Sequence, residues 1–281
     1  YLMVLDSNGG FSKGNRNITQ SIDYHVDLSA DGESEARLDI LYTNHSSGVL
    51  PDSCRVQAVS SSGLTYQQQK NTCYWNYLRV YTPQGAALQG SSPLPMPEGA
   101  LYRRIGYNDI EDTLRTYSES GKTTFAGFFN LEVGESRKIA FAYDLPPQVI
   151  QRDGGRLYYS LLVQKQPGTQ STPVEVTIGL PAGYCVWKAT PSPSSQDAVE
   201  VQFDIDLDSD TKVDLILERS SSCKDRTAPP PTSFDPLPSE RTRTAFASVT
   251  LVPPTAGPAI ERVQVSPQNA ALYPGQRFLF T

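Results

Sequence analysis

The feature that most constrains this chain is strict two-residue alternation. "SIDYHVDL" (21–28) sets Ile22, Tyr24, Val26 and Leu28 against Ser, Asp, His and Asp. "EARLDILYTN" (35–44) repeats the pattern with Ala36, Leu38, Ile40 and Tyr42. A period of two means strands with one dry and one wet face, and "SADGE" between them supplies the turn of a hairpin. Further strands are expected at 76–83, 123–133, 136–146, 156–168 and 173–181. A last hairpin is expected over 198–219, turning at "DSDT", and "NDIEDTLRTY" (108–117) has the spacing of a short helix.

Strands at this spacing imply an all-β fold, one large or two abutting antiparallel β-sandwiches of immunoglobulin-like type. The expected divisions are residues 1–148 as a sandwich and 149–222 as its continuation or a second β-domain. Residues 223–258 read as a Pro-rich linker with one strand, and 259–281 as C-terminal strands or a donor arm. The 22 prolines and 20 glycines suit many turns, and 38% hydrophobic content suffices for a core. A net charge of −6 without a basic cluster leaves a nucleic-acid partner no electrostatic footprint. No apolar run reaches the ~20 residues of a spanning helix. Opening on Tyr1 with no leader, the chain is expected to be a mature, trimmed or excised piece of a longer product.

Cys54, Cys73, Cys185 and Cys223 lack metal spacing. An even count in a β-rich chain reads as two disulfides in an oxidising, extracellular compartment. Proximity favours Cys54–Cys73 and Cys185–Cys223, with three pairings formally open. Nothing points to a cofactor.

Catalytic motifs fail one by one. "GKTT" (121–124) has Thr116 where a phosphate loop needs glycine, and no nucleophile elbow or zinc helix motif occurs. His25 lies on a polar strand face and His45 in a turn. The expectation is therefore that the chain is no enzyme. Asp204, Asp206, Asp208 and Asp210 alternate like the start of a calcium loop. However, Ser209 replaces the turn glycine and Leu215 the twelfth-position carboxylate, so metal binding is not expected. Tyr74, Trp75 and Tyr77 in "CYWNY" are candidate binding aromatics for glycan or protein, against the plainer reading of core and edge packing. "NIT" (17–19) and "NHS" (44–46) match the N-glycosylation triplet.

Two resemblances add to this. "LDSNGGFSKGN" (5–15), "YWNYLRVYTPQGAAL" (74–88), "GKTTFAGFFNLEVGESRKIAFAYDLP" (121–146) and "YSLLVQKQPGT" (159–169) resemble the C-terminal part of a bacterial envelope family, domain of unknown function number four-zero-one-two. That resemblance implies a secreted or membrane-anchored bacterial protein and no catalytic residues in this portion. The closing "IERVQVSPQNAALYPGQRFLFT" (260–281) is similar to the first strands of a bacterial group-two immunoglobulin-like domain, which implies a stalk or adhesion module. Val263, Val265, Leu272, Phe278 and Phe280 would anchor that arm in a truncated module, in its own sheet, or in a neighbouring copy. The expected function is a structural component of the bacterial cell surface (filament, stalk or surface layer) assembling by strand pairing. The alternative is an extracellular adhesion module. Expected partners are further copies, other surface proteins or a glycan.

Overall fold

Alternation becomes structure from the second residue. The computed structural model describes residues 1–9, 12–47, 64–94 and 112–219. Leu2 and Val4 point inward from β1 (Leu2–Asn8), as do Ile22, Tyr24 and Val26 from β2 (Ile18–Asp27). β3 (Ser34–Asn44) returns antiparallel, with Ile40 opposite Ile22 and Ala36 opposite Val26, so the expected hairpin forms. A short helix, α1 (Tyr66–Lys70), precedes the next strand. Its Thr65 cap accepts from the Gln68 backbone N–H, and the Gln68 side chain accepts from Thr65 N–H in return.

The chain continues through β4 (Tyr74–Pro83), β5 (Ala87–Ser91), β6 (Arg115–Glu119), β7 (Lys122–Leu131) and β8 (Ser136–Leu145). β9 (Ile150–Asp153), β10 (Arg156–Gln164), β11 (Thr172–Gly179) and β12 (Tyr184–Thr190) follow. β13 (Ser195–Gln196), β14 (Glu200–Leu207) and β15 (Thr211–Arg219) complete the described strands. They form two sheets. The first runs β12-β15-β10-β1-β4-β7-β6 with β9 beside β10, and the second runs β13-β14-β11-β2-β3-β8-β5. Most neighbours are antiparallel, while β1 with β10 and β2 with β11 are parallel. Strands from 150 to 219 enter both of these sheets alongside strands from 2 to 145.

Two expectations about elements are corrected. The stretch 198–219 is not a hairpin: β14 pairs with β11 in the second sheet, and β15 pairs with β10 in the first. Each strand buries one face against the opposite sheet, so its alternation is the same whether the next strand lies beside it or across from it. The expected helix over 108–117 is also absent where it can be seen. Arg115–Glu119 is β6, an edge strand paired along β7 from Arg115 opposite Ala126 to Glu119 opposite Lys122. Its hairpin turn uses Ser120 at φ 50° and Gly121 at φ 70°, the left-handed pair that a two-residue connection of twisted strands requires.

Between the sheets lie aromatic side chains: Tyr24, Tyr42, Tyr143, Phe125, Phe129, Phe141 and Phe203 are all but sealed from solvent. Phe125 stacks on Phe141 at 6.0 Å and tilts against Tyr143 at 5.3 Å. Tyr143 O–H donates to the Tyr24 hydroxyl at 3.1 Å, giving two buried phenols a partner. Fully burying each such ring is worth about 1.5–3 kcal/mol.

One polar bridge crosses this apolar layer. The carboxylate of half-buried Asp6 accepts from Tyr42 O–H at 2.8 Å, Gln20 Nε2 at 3.1 Å and Asn76 Nδ2. Asp6 and Asn76 belong to the first sheet, Tyr42 and Gln20 to the second. Burial pushes the Asp6 carboxyl above its ordinary range, and the three donors oppose that rise. Gln166 completes the arrangement: its Oε1 accepts from Asp6 N–H and its Nε2 donates to Asp6 C=O, both at 2.8 Å. A side-chain amide there extends the β1 edge past the point where β10 leaves it.

Candidate functional site

The aromatics singled out in the sequence are mostly inside. Tyr74 is 3% exposed and packs edge-on against Phe129, while Trp75 is 7% exposed and packs with Cys73 and Leu64. β4 is an interior strand, which buries Tyr74 in the core, and the segment around Leu64 and Cys73 covers the opposite face at this end. Tyr77 is half-buried against Phe128, with ring centroids 4.5 Å apart and its hydroxyl 3.4 Å from that of Tyr117. These three residues do not form an exposed platform.

Another tryptophan does stand out. Trp187, which the sequence reading passed over, is 51% exposed on edge strand β12. It is the extra residue of a bulge: Val186 lies opposite Leu217, Lys188 opposite Ile216, and Trp187 has no counterpart. The Arg156 guanidinium sits 4.1 Å from its ring centroid, and the Glu218 carboxylate holds that guanidinium at 3.5 Å. Across the same outer face the register places Ile216 beside Tyr158 and Tyr158 beside Gln151. Beyond them the face drops into an open cleft of about 870 Å³, where Tyr158, Lys188, Lys212 and Gln148 contribute to the lining. The signal available in "YCVWKAT" was a tryptophan in a strand with no second periodic apolar face to receive it. A bulge, however, cannot be read from one strand.

Charge divides between the two outer faces. On the first sheet, Arg79, Arg115, Lys122, Arg156, Lys188 and Lys212 outnumber Glu119, Asp153, Asp214 and Glu218. Lys212 pairs with Asp214 at 2.8 Å and Arg79 with Glu119 at 3.4 Å. The second sheet carries the opposite sign. Asp39, Asp23, Glu175 and Asp204 fall in one cross-strand row over β3, β2, β11 and β14. Arg37 at 2.9 Å and Lys138 at 3.0 Å both serve Asp39. Partial burial and then the neighbouring Asp39 raise the Asp23 carboxyl; for Glu175 the causes are desolvation and then Asp23 and Asp204.

The alternating aspartates resolve differently from a metal loop. Asp204 accepts from Gln202 Nε2 at 3.0 Å, Asp206 from Ser171 O–H, Asp208 from Ser209 O–H at 2.8 Å and Asp210 from Lys165 N–H at 2.9 Å. Among the described residues no group of three or more His, Cys, Asp or Glu could hold an ion. β13 covers β14 only at Val201 and Gln202, so Asp204 and Asp206 stand where a free strand edge carries charge against unwanted pairing.

The remaining candidates can be placed briefly. His25 lies 3.1 Å from Asp27, whose hydrogen bond raises its pKa, and His45 Nε2 lies 2.8 Å from Thr19 Oγ1. "GKTT" is the β6–β7 turn and the start of β7. Asn44 is fully buried, and its Nδ2 donates to the carbonyls of Thr72 and Leu131. Asn17 Nδ2 reaches Ser46 Oγ, Lys70 C=O and Asn71 Oδ1, so both glycosylation triplets have their amides engaged inside the fold. Neither Cys73 nor Cys185 carries a free thiol. Cys54, Cys223 and the arm residues Val263, Val265, Leu272, Phe278 and Phe280 lie outside the described residues. Among the described residues no helix is long and apolar enough to cross a membrane.

No family model matches the sequence, and no curated protein matches it. Solved structures do. One is an M1 zinc metallopeptidase from Deinococcus radiodurans, at 11% identity over 73% of this chain and 43% of that one, with a TM-score of 0.34. Others are a protein from Legionella pneumophila described as nutrient-binding, at 10% identity over 76% and 70% (TM-score 0.32), and the Mu homology domain of Fcho1 from Danio rerio bound to an Eps15 peptide, at 9% over 72% and 79% (TM-score 0.24). The chain spans less than half the length of the metallopeptidase chains it matches. These matches overturn one expectation. The chain was expected to be no enzyme, and the structures it matches include enzymes, so that exclusion is withdrawn. At such TM-scores they transfer no metal, residue or activity.

Proposed function

We propose that this chain is a structural module of the bacterial cell surface that works by docking other surface proteins against the outer face of its first sheet. The observation that carries the reading is the Trp187–Arg156 pair. A half-exposed indole on a bulged edge strand, with a guanidinium 4.1 Å from its ring centre, is a preformed anchor. Tryptophan, tyrosine and arginine are the side chains that most often dominate protein interfaces, the two aromatics because they bury large areas while losing little rotamer freedom, and arginine because its planar guanidinium stacks and donates several hydrogen bonds. Tyr158 and Ile216 extend the patch, and Lys188 and Gln151 rim it with polar groups.

Three sequence features support the setting: the envelope-family resemblance, the immunoglobulin-like closing segment, and an even count of four cysteines that reads as two disulfides. The strand-pairing arm at 260–281 is not needed for this reading. The test is co-sedimentation with isolated envelopes of the organism that makes the protein. Trp187→Ala is expected to bind at least tenfold more weakly than the unaltered chain while keeping its melting temperature. Equal binding by both proteins would dismiss the reading.

A further inference from the structure

Resting on that reading, we infer that the partner of the first-sheet face is a second copy of this chain, presenting the acidic outer face of its second sheet.

Two features of the outer faces support this. The first is Lys188, exposed beside Trp187, which has no carboxylate partner among the described residues. It stands on the face where cations outnumber anions, next to an exposed indole. The second is the carboxylate row. Neighbouring strands lie ~4.8 Å apart, so Asp23, Glu175 and Asp204 are side by side on adjacent strands. Like charges directly opposite in a sheet destabilise it. Among the described residues no salt bridge reaches these three, although Lys138, His25 and Arg37 act on Asp23 through space, whereas Asp39 in the same row has Arg37 and Lys138 in direct contact. A row that costs the monomer stability is compensated when cations arrive from outside, and Lys188 is such a cation, flanked by Lys212 and Arg156, which already pair with Asp214 and Glu218 on their own face. The chain's negative balance of −6 makes a basic, aromatic patch on one face a local exception, suited to an acidic surface like its own opposite side.

The two faces point in opposite directions, because each sheet turns its other side to the shared core. A contact between them is therefore heterologous: the patch used by one copy stays free on the next. Such a contact repeats into an open chain unless its rotation happens to close a ring. In this way a cell-surface component could extend by sheet-face stacking. Its strength should fall with salt, since screening shortens to about 8 Å at physiological ionic strength and to about 3 Å at 1 M.

The experiment is sedimentation equilibrium of the full chain at low and high salt, with two charge-reversed variants. With Arg37 and Lys138 beside Asp39, Glu175→Lys with Asp204→Lys turns the carboxylate row basic, and Lys188→Glu with Lys212→Glu turns the patch around Trp187 acidic. Each variant alone is expected to associate at least tenfold more weakly than the unaltered chain. An equimolar mixture should regain association, because every contact then joins opposite signs. Thermal melts and the milder Glu175→Gln with Asp204→Asn check that loss is not misfolding; the neutral pair should weaken association and leave the melt unchanged or higher. An unaltered chain that stays monomeric at about 100 μM in low salt, or variants that associate as it does, would overturn the inference. In that event envelope binding that still depends on Trp187 would leave the docking reading standing with a different partner.

Discussion

Asp6 shows how a single side chain can tie two sheets together. Its carboxylate takes one hydrogen bond from its own sheet and two from the facing one. Removing a donor leaves part of a buried anion unsatisfied, which costs more than the bond itself contributed. Tyr42→Phe is therefore expected to lower stability by about 1.5–3 kcal/mol, read from urea midpoints near neutral pH. The pH dependence follows from the direction of the Asp6 shift. A carboxyl raised above its ordinary value of 3.8 binds its proton more readily in the folded chain, so stability gains as pH falls through the raised value. Protonated Asp6 needs fewer donors, and the deficit of Tyr42→Phe should narrow over that range. A deficit unchanged with pH would mean that the lost hydroxyl acted by packing alone. Position-by-position reading could not find this site: Asp6 and Asn76 are 70 positions apart and look like ordinary polar strand residues.

At the scale of elements, the crossing over β7 is the most demanding feature. Thr113 Oγ1 accepts from Phe128 N–H at 2.6 Å and lies 3.0 Å from Leu94 C=O, so one hydroxyl joins two passing segments to the strand. The close approach depends on Gly127. A Cβ there would lie 2.6 Å from Leu94 Cδ1, 3.0 Å from Thr113 Oγ1 and 3.3 Å from the Leu114 Cα. The leucine tip can move, but the hydroxyl and backbone cannot do so without giving up the crossing. Gly127→Ala should therefore destabilise by about 1–3 kcal/mol, measured by thermal or chemical denaturation. Thr113→Ser, which keeps the hydroxyl, should be milder, and a neutral Gly127→Ala would show that the crossing is loose. In the sequence Gly127 sits inside "TTFAGFFNL" and signals only a bulge or a close approach, without naming what approaches.

Across the described strands, the decisive property is that most neighbours in sequence lie in different sheets. β1 to β2, β3 to β4, β7 to β8, β10 to β11 and β14 to β15 all cross from one layer to the other. The two parallel pairs arise because both β1–β2 and β10–β11 make that crossing side by side. In such a weave a covalent tie acts on distant strands, and β12 is an outer strand held on one side by β15. Peptide mapping without reductant is expected to recover Cys54 joined to Cys73 and Cys185 joined to Cys223. Reduction should lower the melting temperature, with closure of the first loop worth about 3 kcal/mol if unstrained. Recovery of any other pairing would refute this assignment.

Alternation and turn chemistry in the sequence alone determined the all-β class, the β2–β3 hairpin and most strand positions, since a period of two is a local consequence of burying one face. Which strands become neighbours was decided only by the tertiary structure, because inward-facing residues look the same from either sheet. That is why 198–219 read as a hairpin and proved to be a crossing between layers. It is also why the aromatics of "CYWNY" read either as core or as a binding surface while Trp187, lifted outward by a bulge whose register exists only against β15, went unnoticed. The charged faces follow the same rule. Asp23, Glu175 and Asp204 are scattered along the chain, and only strand pairing brings them into one row.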